Sequence, residues 1–123
     1  MKRVVIAGCR NYNNYIEAKR YIDYCLSDIK KGEKITVVSG GCKGGDMIGE
    51  RYAKENLLCI ERYPAEWNKY GKRAGPIRNE SMASVADLVI CFWDGKSKGT
   101  KSMIQYAKIY SKPLKIYMIE TNN

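Results

Sequence analysis

The 123-residue chain contains no histidine. That absence excludes the Ser-His-Asp and Cys-His nucleophile mechanisms, imidazole general bases and His-ligated metal sites. It also lacks any apolar run near the roughly 18–20 residues that a membrane span needs. The N-terminal apolar stretch Val4-Val5-Ile6-Ala7 is too short for a secretory leader and reads as a first strand. The five cysteines, Cys9, Cys25, Cys42, Cys59 and Cys91, form no C-x-x-C pair. Their odd number and spacing argue against a zinc site or a disulfide framework. Three sit in apolar runs, where a thiol behaves as a small hydrophobe. A reducing, cytoplasmic setting is therefore expected, with no metal, no resident cofactor and no membrane partner.

What is present is a positive excess. Lys and Arg number 22 against 13 Asp and Glu, a net charge of +9. That balance favours an anionic partner, either the phosphate of a nucleotide or a nucleic-acid backbone. The basic residues include Lys19, Arg20, Lys30, Lys31, Lys54 and Lys108, which the periodicity puts on helices away from the expected site. The length suits one hydrophobic core. A single domain over residues 1–120 is expected, with 121–123 as a loose end.

Apolar runs and helical periods alternate along the chain. Near-continuous Val/Ile/Leu runs at 3–7, 35–39, 57–62, 88–92 and 114–119 have the character of strands covered on both faces. Between the first two, Ala18, Ile22, Cys25, Leu26 and Ile29 fall on one face of a helix predicted from Tyr15 to about Lys30, with Gly32 beyond its end. A second helix is predicted over 46–56 with Asp46 at its N-cap. A third starts near Pro76 and ends before Asp87. A fourth follows Thr100, with Met103, Ile104, Ala107 and Tyr110 inward, and stops before Pro113. The order predicts an α/β fold: a Rossmann-like, doubly wound parallel sheet of about five strands in three α/β/α layers.

Ligand sites in such sheets lie beyond the carboxyl ends of the strands. Four segments should meet there: 8–11, 39–46, 63–75 and 93–100. The second holds Gly40, Gly41, Lys43, Gly44 and Asp46 between a strand and a helix. Glycines there admit close backbone approach, and a helix N-terminus offers free N–H groups to an anion. It matches neither the Walker A spacing nor G-x-G-x-x-G. A plain tight turn is the competing reading. Gly95-x-x-x-Gly99-Thr100 repeats the device, with Lys96, Lys98 and Lys101 around it. The stretch Tyr63–Asn79, which runs on from the third segment, joins Trp67 to Lys72, Arg78 and Asn79, an aromatic beside cations as base stacking plus phosphate contact requires. Asp94 and Arg78 are candidate catalytic groups only, since no pair of carboxylates can be placed for acid–base work.

The succession Gly8-x-Arg10, Ser39-Gly40-Gly41-x-x-Gly44-x-Asp46, Pro64-Ala65-x-Trp67, Gly71-Lys72-x-Ala74-Gly75-x-x-Arg78-Asn79-x-x-Met82 and Gly99-Thr100-x-x-Met103 resembles the YspA-related branch of the SLOG (SMF/DprA–LOG) superfamily. The resemblance runs over nearly the whole chain, and the 67–82 stretch is its most specific part. It implies a Rossmann-like domain that binds nucleotides or nucleotide-derived ligands. LOG enzymes of this superfamily cleave the N-glycosidic bond of nucleoside 5′-monophosphates. They use a glutamate where this chain has Met103 and an Arg-Lys pair where it has Arg78-Asn79. Other SLOG domains sense ADP-ribose derivatives, and the DprA relatives bind single-stranded DNA.

Three functions follow as expectations. The first is binding or sensing of a nucleotide-derived small molecule, ADP-ribose-like or a nucleoside phosphate, held by Gly8, Arg10, Gly40, Gly41, Lys43, Gly44, Asp46, Trp67, Lys72, Arg78, Asn79, Gly99 and Thr100. The second is a nucleotide N-glycosidase or phosphoribohydrolase. The third is single-stranded nucleic-acid binding. A homo-oligomer formed through a sheet edge or helix face stays open as a further partner class.

Overall fold

A computed structural model describes residues 1–29, 32–42 and 44–120. The elements alternate as expected: β1 (Lys2–Gly8), α1 (Tyr15–Leu26), β2 (Ile35–Ser39), α2 (Gly45–Glu55), β3 (Cys59–Arg62), α3 (Trp67–Tyr70), a 3-10 turn (Gly71–Arg73), α4 (Ala74–Val85), β4 (Leu88–Trp93), α5 (Lys98–Ile109) and β5 (Leu114–Met118). The five strands form one sheet in the order β3-β2-β1-β4-β5, and every pairing is parallel. This is the Rossmann-like α/β architecture that the run of apolar segments predicted.

The period-2 alternation of strand side chains divides the interior into two cores. Val4, Ile6, Val37, Ile90 and Phe92 pack under α1 and α2 against Ala18, Ile22, Ile48 and Ala53. Val5, Ala7, Val38, Val89 and Cys91 point the other way, under α4 and α5, onto Met82, Ala83, Met103, Ile104 and Ala107. Both faces of the central strands are therefore buried, which is why their sequences read as unbroken apolar runs. β1 neighbours β2 on one side and β4 on the other. The chain leaves β1 toward one face and β4 toward the other, so their carboxyl ends open a crevice at this switch point.

Several element boundaries differ from the sequence expectation. α1 stops at Leu26, where the Ser27 hydroxyl and N–H both donate to the Tyr24 carbonyl; Lys30 lies outside the described residues. β3 begins at Cys59, because Leu57 has a positive φ of 55° and ends α2 instead. Leu57 N–H donates to the Lys54 carbonyl and Leu58 N–H to Ala53, the paired bonds of a Schellman motif with leucine in the usual glycine position. Ser111, with φ 54°, closes α5 in the same way. Tyr110 is not inward: it caps α5 in an exposed position and its hydroxyl reaches Glu80. α4 begins at Ala74, ahead of Pro76, because no N–H of a first turn has a helical acceptor to lose.

Candidate functional site

The crevice is an open cleft of about 1250 Å³. Small-molecule sites commonly span about 300–1,000 Å³, so this one has room for a ligand of dinucleotide size. All four segments expected at the strand ends contribute to its wall: Gly8, Cys9 and Arg10 from β1 and the loop after it, Cys42 and Asp46 from the β2–α2 turn, Trp67 and Gly75, and Asp94 with Ser97 to Thr100. Arg78 and Asn79 line it from α4. Gly40, Gly41, Gly44 and Lys72 are not among the lining residues, and Lys43 lies outside the described residues. Lys72 sits exposed on the 3-10 turn.

Gly44 and Gly45 of the β2–α2 turn serve packing, whereas Gly41 meets nothing and supplies a positive φ of 76°. A Cβ on Gly45 would fall on the backbone of Gly8, and one on Gly44, where φ is 83°, would fall on the Cys9 carbonyl. Gly45 N–H donates to that same carbonyl. The start of α2 is thus seated directly on the end of β1. This contact makes Gly44 the N-cap, and Asp46 is the second residue of the helix, not its cap as predicted. A Cβ on Gly40 would collide with the Arg78 guanidinium and the Asp46 carboxylate, so Gly40 makes room for these two side chains. The tight-turn reading thus holds for Gly44, and Gly40 acts behind the wall.

Arg78 ties three segments together. Its Nη1 donates to the carbonyls of Gly40 at 2.7 Å and Tyr63 at 3.4 Å, its Nε to Asn79 Oδ1, and its Nη2 lies 3.6 Å from Cys42 Sγ. Buried Asn79 passes the link on to α5, donating to the Gly99 carbonyl at 3.3 Å and Ser102 Oγ at 3.4 Å. Asp46 is 7% exposed, and its Oδ2 accepts from Cys42 N–H at 3.1 Å. Burial pushes its carboxyl up to about 6, against the pull of the Cys42 N–H and Arg78.

The second glycine turn is built differently. Asp94 Oδ1 accepts from the N–H groups of Lys96 at 2.8 Å and Ser97 at 2.7 Å, and these bonds hold its carboxyl below the usual range. Asp94 is therefore a turn-closing residue at the cleft wall. α5 starts at Lys98, ahead of the expected start after Thr100, with Ser97 as its N-cap and no side-chain capping bond. The first helical bond runs from Lys101 N–H to the Ser97 carbonyl. The N–H groups of Lys98, Gly99 and Thr100 therefore have no helical acceptor. All three residues line the cleft. Gly99 has no positive φ, and a Cβ there would meet nothing within 4 Å. Thr100 is buried, with Oγ1 3.4 Å from Ser97 Oγ and 3.9 Å from Cys9 Sγ.

The lining mixes charge. Arg10, Arg78 and Lys98 face Glu17, Asp46, Asp94 and Glu120. Trp67 is half-exposed at the rim, with its ring 3.6 Å from where a Cβ of Gly75 would stand. Met103 is buried and reaches the wall with an apolar thioether. The sequence reading missed Asn13, Asn14 and Glu17 at the start of α1, and Tyr117 to Glu120 at the end of β5 and just beyond it. The latter was deducible, since a fifth parallel strand must end at the same edge as the others. Among the described residues no cluster of three Cys, Asp or Glu side chains is placed to hold a metal ion, and no helix is long and apolar enough to cross a membrane.

These features define a Rossmann-like α/β domain with a polar crevice at its switch point. Within that class the chain belongs to the YspA, cpYpsA-related SLOG family, whose family model matches residues 2–70. It is similar to the Gene 61 protein of Mycobacterium phage D29, with 30% identity over 115 residues covering 88% of this chain and 90% of that protein. Among solved structures it resembles DNA processing protein A from Helicobacter pylori, described for its single-stranded DNA binding mode. The TM-score is 0.68 at 22% identity, over 99% of this chain and 67% of that one, which shows a shared fold.

Proposed function

We propose that the cleft binds a nucleotide-derived small molecule through a phosphate at the N-terminus of α5. One observation carries this reading: Gly99 lines the cleft without a conformational or packing reason to be glycine. Glycine in a helix costs about 1 kcal/mol relative to alanine. A ligand that must approach the free N–H groups of Lys98, Gly99 and Thr100 supplies the reason. Arg10 and Lys98 add positive charge to the lining, and Trp67 brings a ring on which a base can stack. The acidic share of the lining suits a ligand that also presents hydroxyl donors.

Calorimetry and thermal-shift titration with AMP, ADP-ribose, NAD and cyclic nucleotides test the reading. At least one should raise the melting temperature, increasingly with concentration. Gly99→Ala should fold at least as stably as the parent and bind that ligand more weakly. No stabilisation by any of them rejects the proposal.

Single-stranded DNA binding is the second reading, favoured by the Helicobacter pylori neighbour and by the net charge of +9. It predicts retention of oligonucleotides that falls steeply between low and physiological salt. The mixed charge of the cleft favours the small molecule, because a strand-tracking groove carries mostly cations.

A further inference from the structure

We infer that Asp46 is a hydrogen-bond acceptor for a sugar hydroxyl of the ligand, so that the cleft reads a phosphorylated ribose at two points. The inference rests on the nucleotide reading of the same cleft and adds a second contact to it. Asp46 is more than nine-tenths buried, yet it lines the cleft. Its Oδ2 is held by Cys42 N–H. Among the described residues no N–H or O–H group donates to Oδ1, and the Cys42 thiol is a further hydrogen-bonding neighbour of the carboxylate. Asp46 belongs to the cleft wall, where Oδ1 is the oxygen left to meet a ligand.

The neighbouring cation does not neutralise it by contact. Arg78 spends its donors on the carbonyls of Gly40 and Tyr63, on Asn79 Oδ1 and on Cys42 Sγ. Its charge stays close enough to draw the Asp46 carboxyl downward. This pairing selects the ligand group. A phosphate is repelled by Asp46 and an ammonium by Arg78, whereas a neutral hydroxyl can donate to Oδ1 without either penalty. Gly40 has the same logic, since any side chain there would displace both groups.

The contact is linked to protonation. Burial raises the Asp46 carboxyl to about 6, and the groups that act on it are Cys42 from the β2–α2 turn, Arg78 from α4 and Glu50 from its own helix. Cys91 on β4 feels Asp46 in turn, but burial keeps that thiol protonated, with its own value near 12. A carboxylate accepts a hydroxyl hydrogen bond more strongly than a protonated carboxyl does. Preference for the hydroxyl should therefore fade as pH falls through about 6.

The test is calorimetry of AMP, 2′-deoxy-AMP and 3′-deoxy-AMP with the parent protein and Asp46→Asn, near neutral pH and at about pH 5, together with the melting temperature of each protein. The parent should bind one deoxy analogue about tenfold more weakly than AMP near neutral pH, the order expected for losing a hydrogen bond to a charged group. Asp46→Asn should lose that preference while binding the deoxy analogue as the parent does, and its melting temperature should not fall. The parent should lose the preference at the lower pH; taking the ratio of AMP to analogue cancels the phosphate's own titration. A folded Asp46→Asn protein that keeps the preference, or a parent that binds AMP without any preference, overturns the inference alone. If Asp46→Asn does not fold, a parent preference unchanged with pH overturns it. Failure of the parent to bind all three overturns the nucleotide reading and this inference with it.

Discussion

Two carboxylates on successive turns of α2 differ in a way that separates support from site. Glu50 and Asp46 are both buried, at 5% and 7% exposure, and accept from Ser39 at the end of β2 and from Cys42 in the turn after it, respectively. Glu50 is closed on itself. Ser39 donates to it at 2.8 Å and the Arg62 guanidinium at 2.7 Å. Burial alone would raise its carboxyl, but Arg62 and Ser39 outweigh burial and hold it below the usual range. Asp46 has one backbone donor, no ion pair within reach among the described residues, and a raised carboxyl. Buried charges without partners lower stability and persist where something else needs them. The turn that carries Glu50 holds α2 on the sheet, and the turn that carries Asp46 faces the cleft.

The largest expected effect breaks both turns at once. Gly45→Ala puts a Cβ onto the Gly8 backbone and lifts α2 off β1. A loss of more than about 4 kcal/mol in urea unfolding, or failure to fold, is expected, because the clash is with main chain that cannot step aside. Next is Glu50→Ala, which strips Ser39 and Arg62 of their acceptor. It should cost about 2 kcal/mol. Arg62 is more than half exposed, so water takes over part of its solvation and limits the loss. A Glu50→Ala, Arg62→Ala cycle should recover some of it.

Asp46→Asn should go the other way. The folded protein binds the Asp46 proton more tightly than the unfolded chain does. The penalty for ionising it is therefore absent below the ordinary value of 3.8 and grows as pH rises through about 6. At neutral pH the variant should be more stable than the parent by about 1–2 kcal/mol. The two denaturation midpoints should converge as pH falls toward 4. A parent more stable than the variant at neutral pH would make Asp46 a second Glu50. The smallest effect is Asp94→Ala, which releases the N–H groups of Lys96 and Ser97 and should lower the melting temperature by the equivalent of about 1 kcal/mol, as for a lost cap.

Legibility along the chain follows the range of the forces involved. The strands were readable because burial on both faces leaves unbroken apolar runs such as Val4 to Ala7. The helices were readable from their 3.6 period, but their ends were not. Leu57 and Ser111 take left-handed conformations that propensity assigns to glycine, held there by main-chain bonds back to the helix. The two glycine turns looked alike as sequence. In the folded chain Gly44 and Gly45 are consumed by contact with Cys9 and Gly8, whereas Gly99 faces open space. Only partners distant in sequence distinguish them. Arg78 stands near the start of a helix, where the dipole disfavours a cation, and the fold explains it through carbonyls 38 and 15 residues away.

The sequence by itself determined the class of fold, the family and the end of the sheet where a site must lie. Hydrophobic periodicity and chain order are local properties, and handedness rules convert them into topology. The tertiary structure alone decided which glycines pack and which stand open, that Asp94 closes a turn, and that Asp46 is left half-satisfied beside Arg78. Those outcomes depend on how closely separate backbone segments approach and on how donors are shared out among buried acceptors, which no local pattern records.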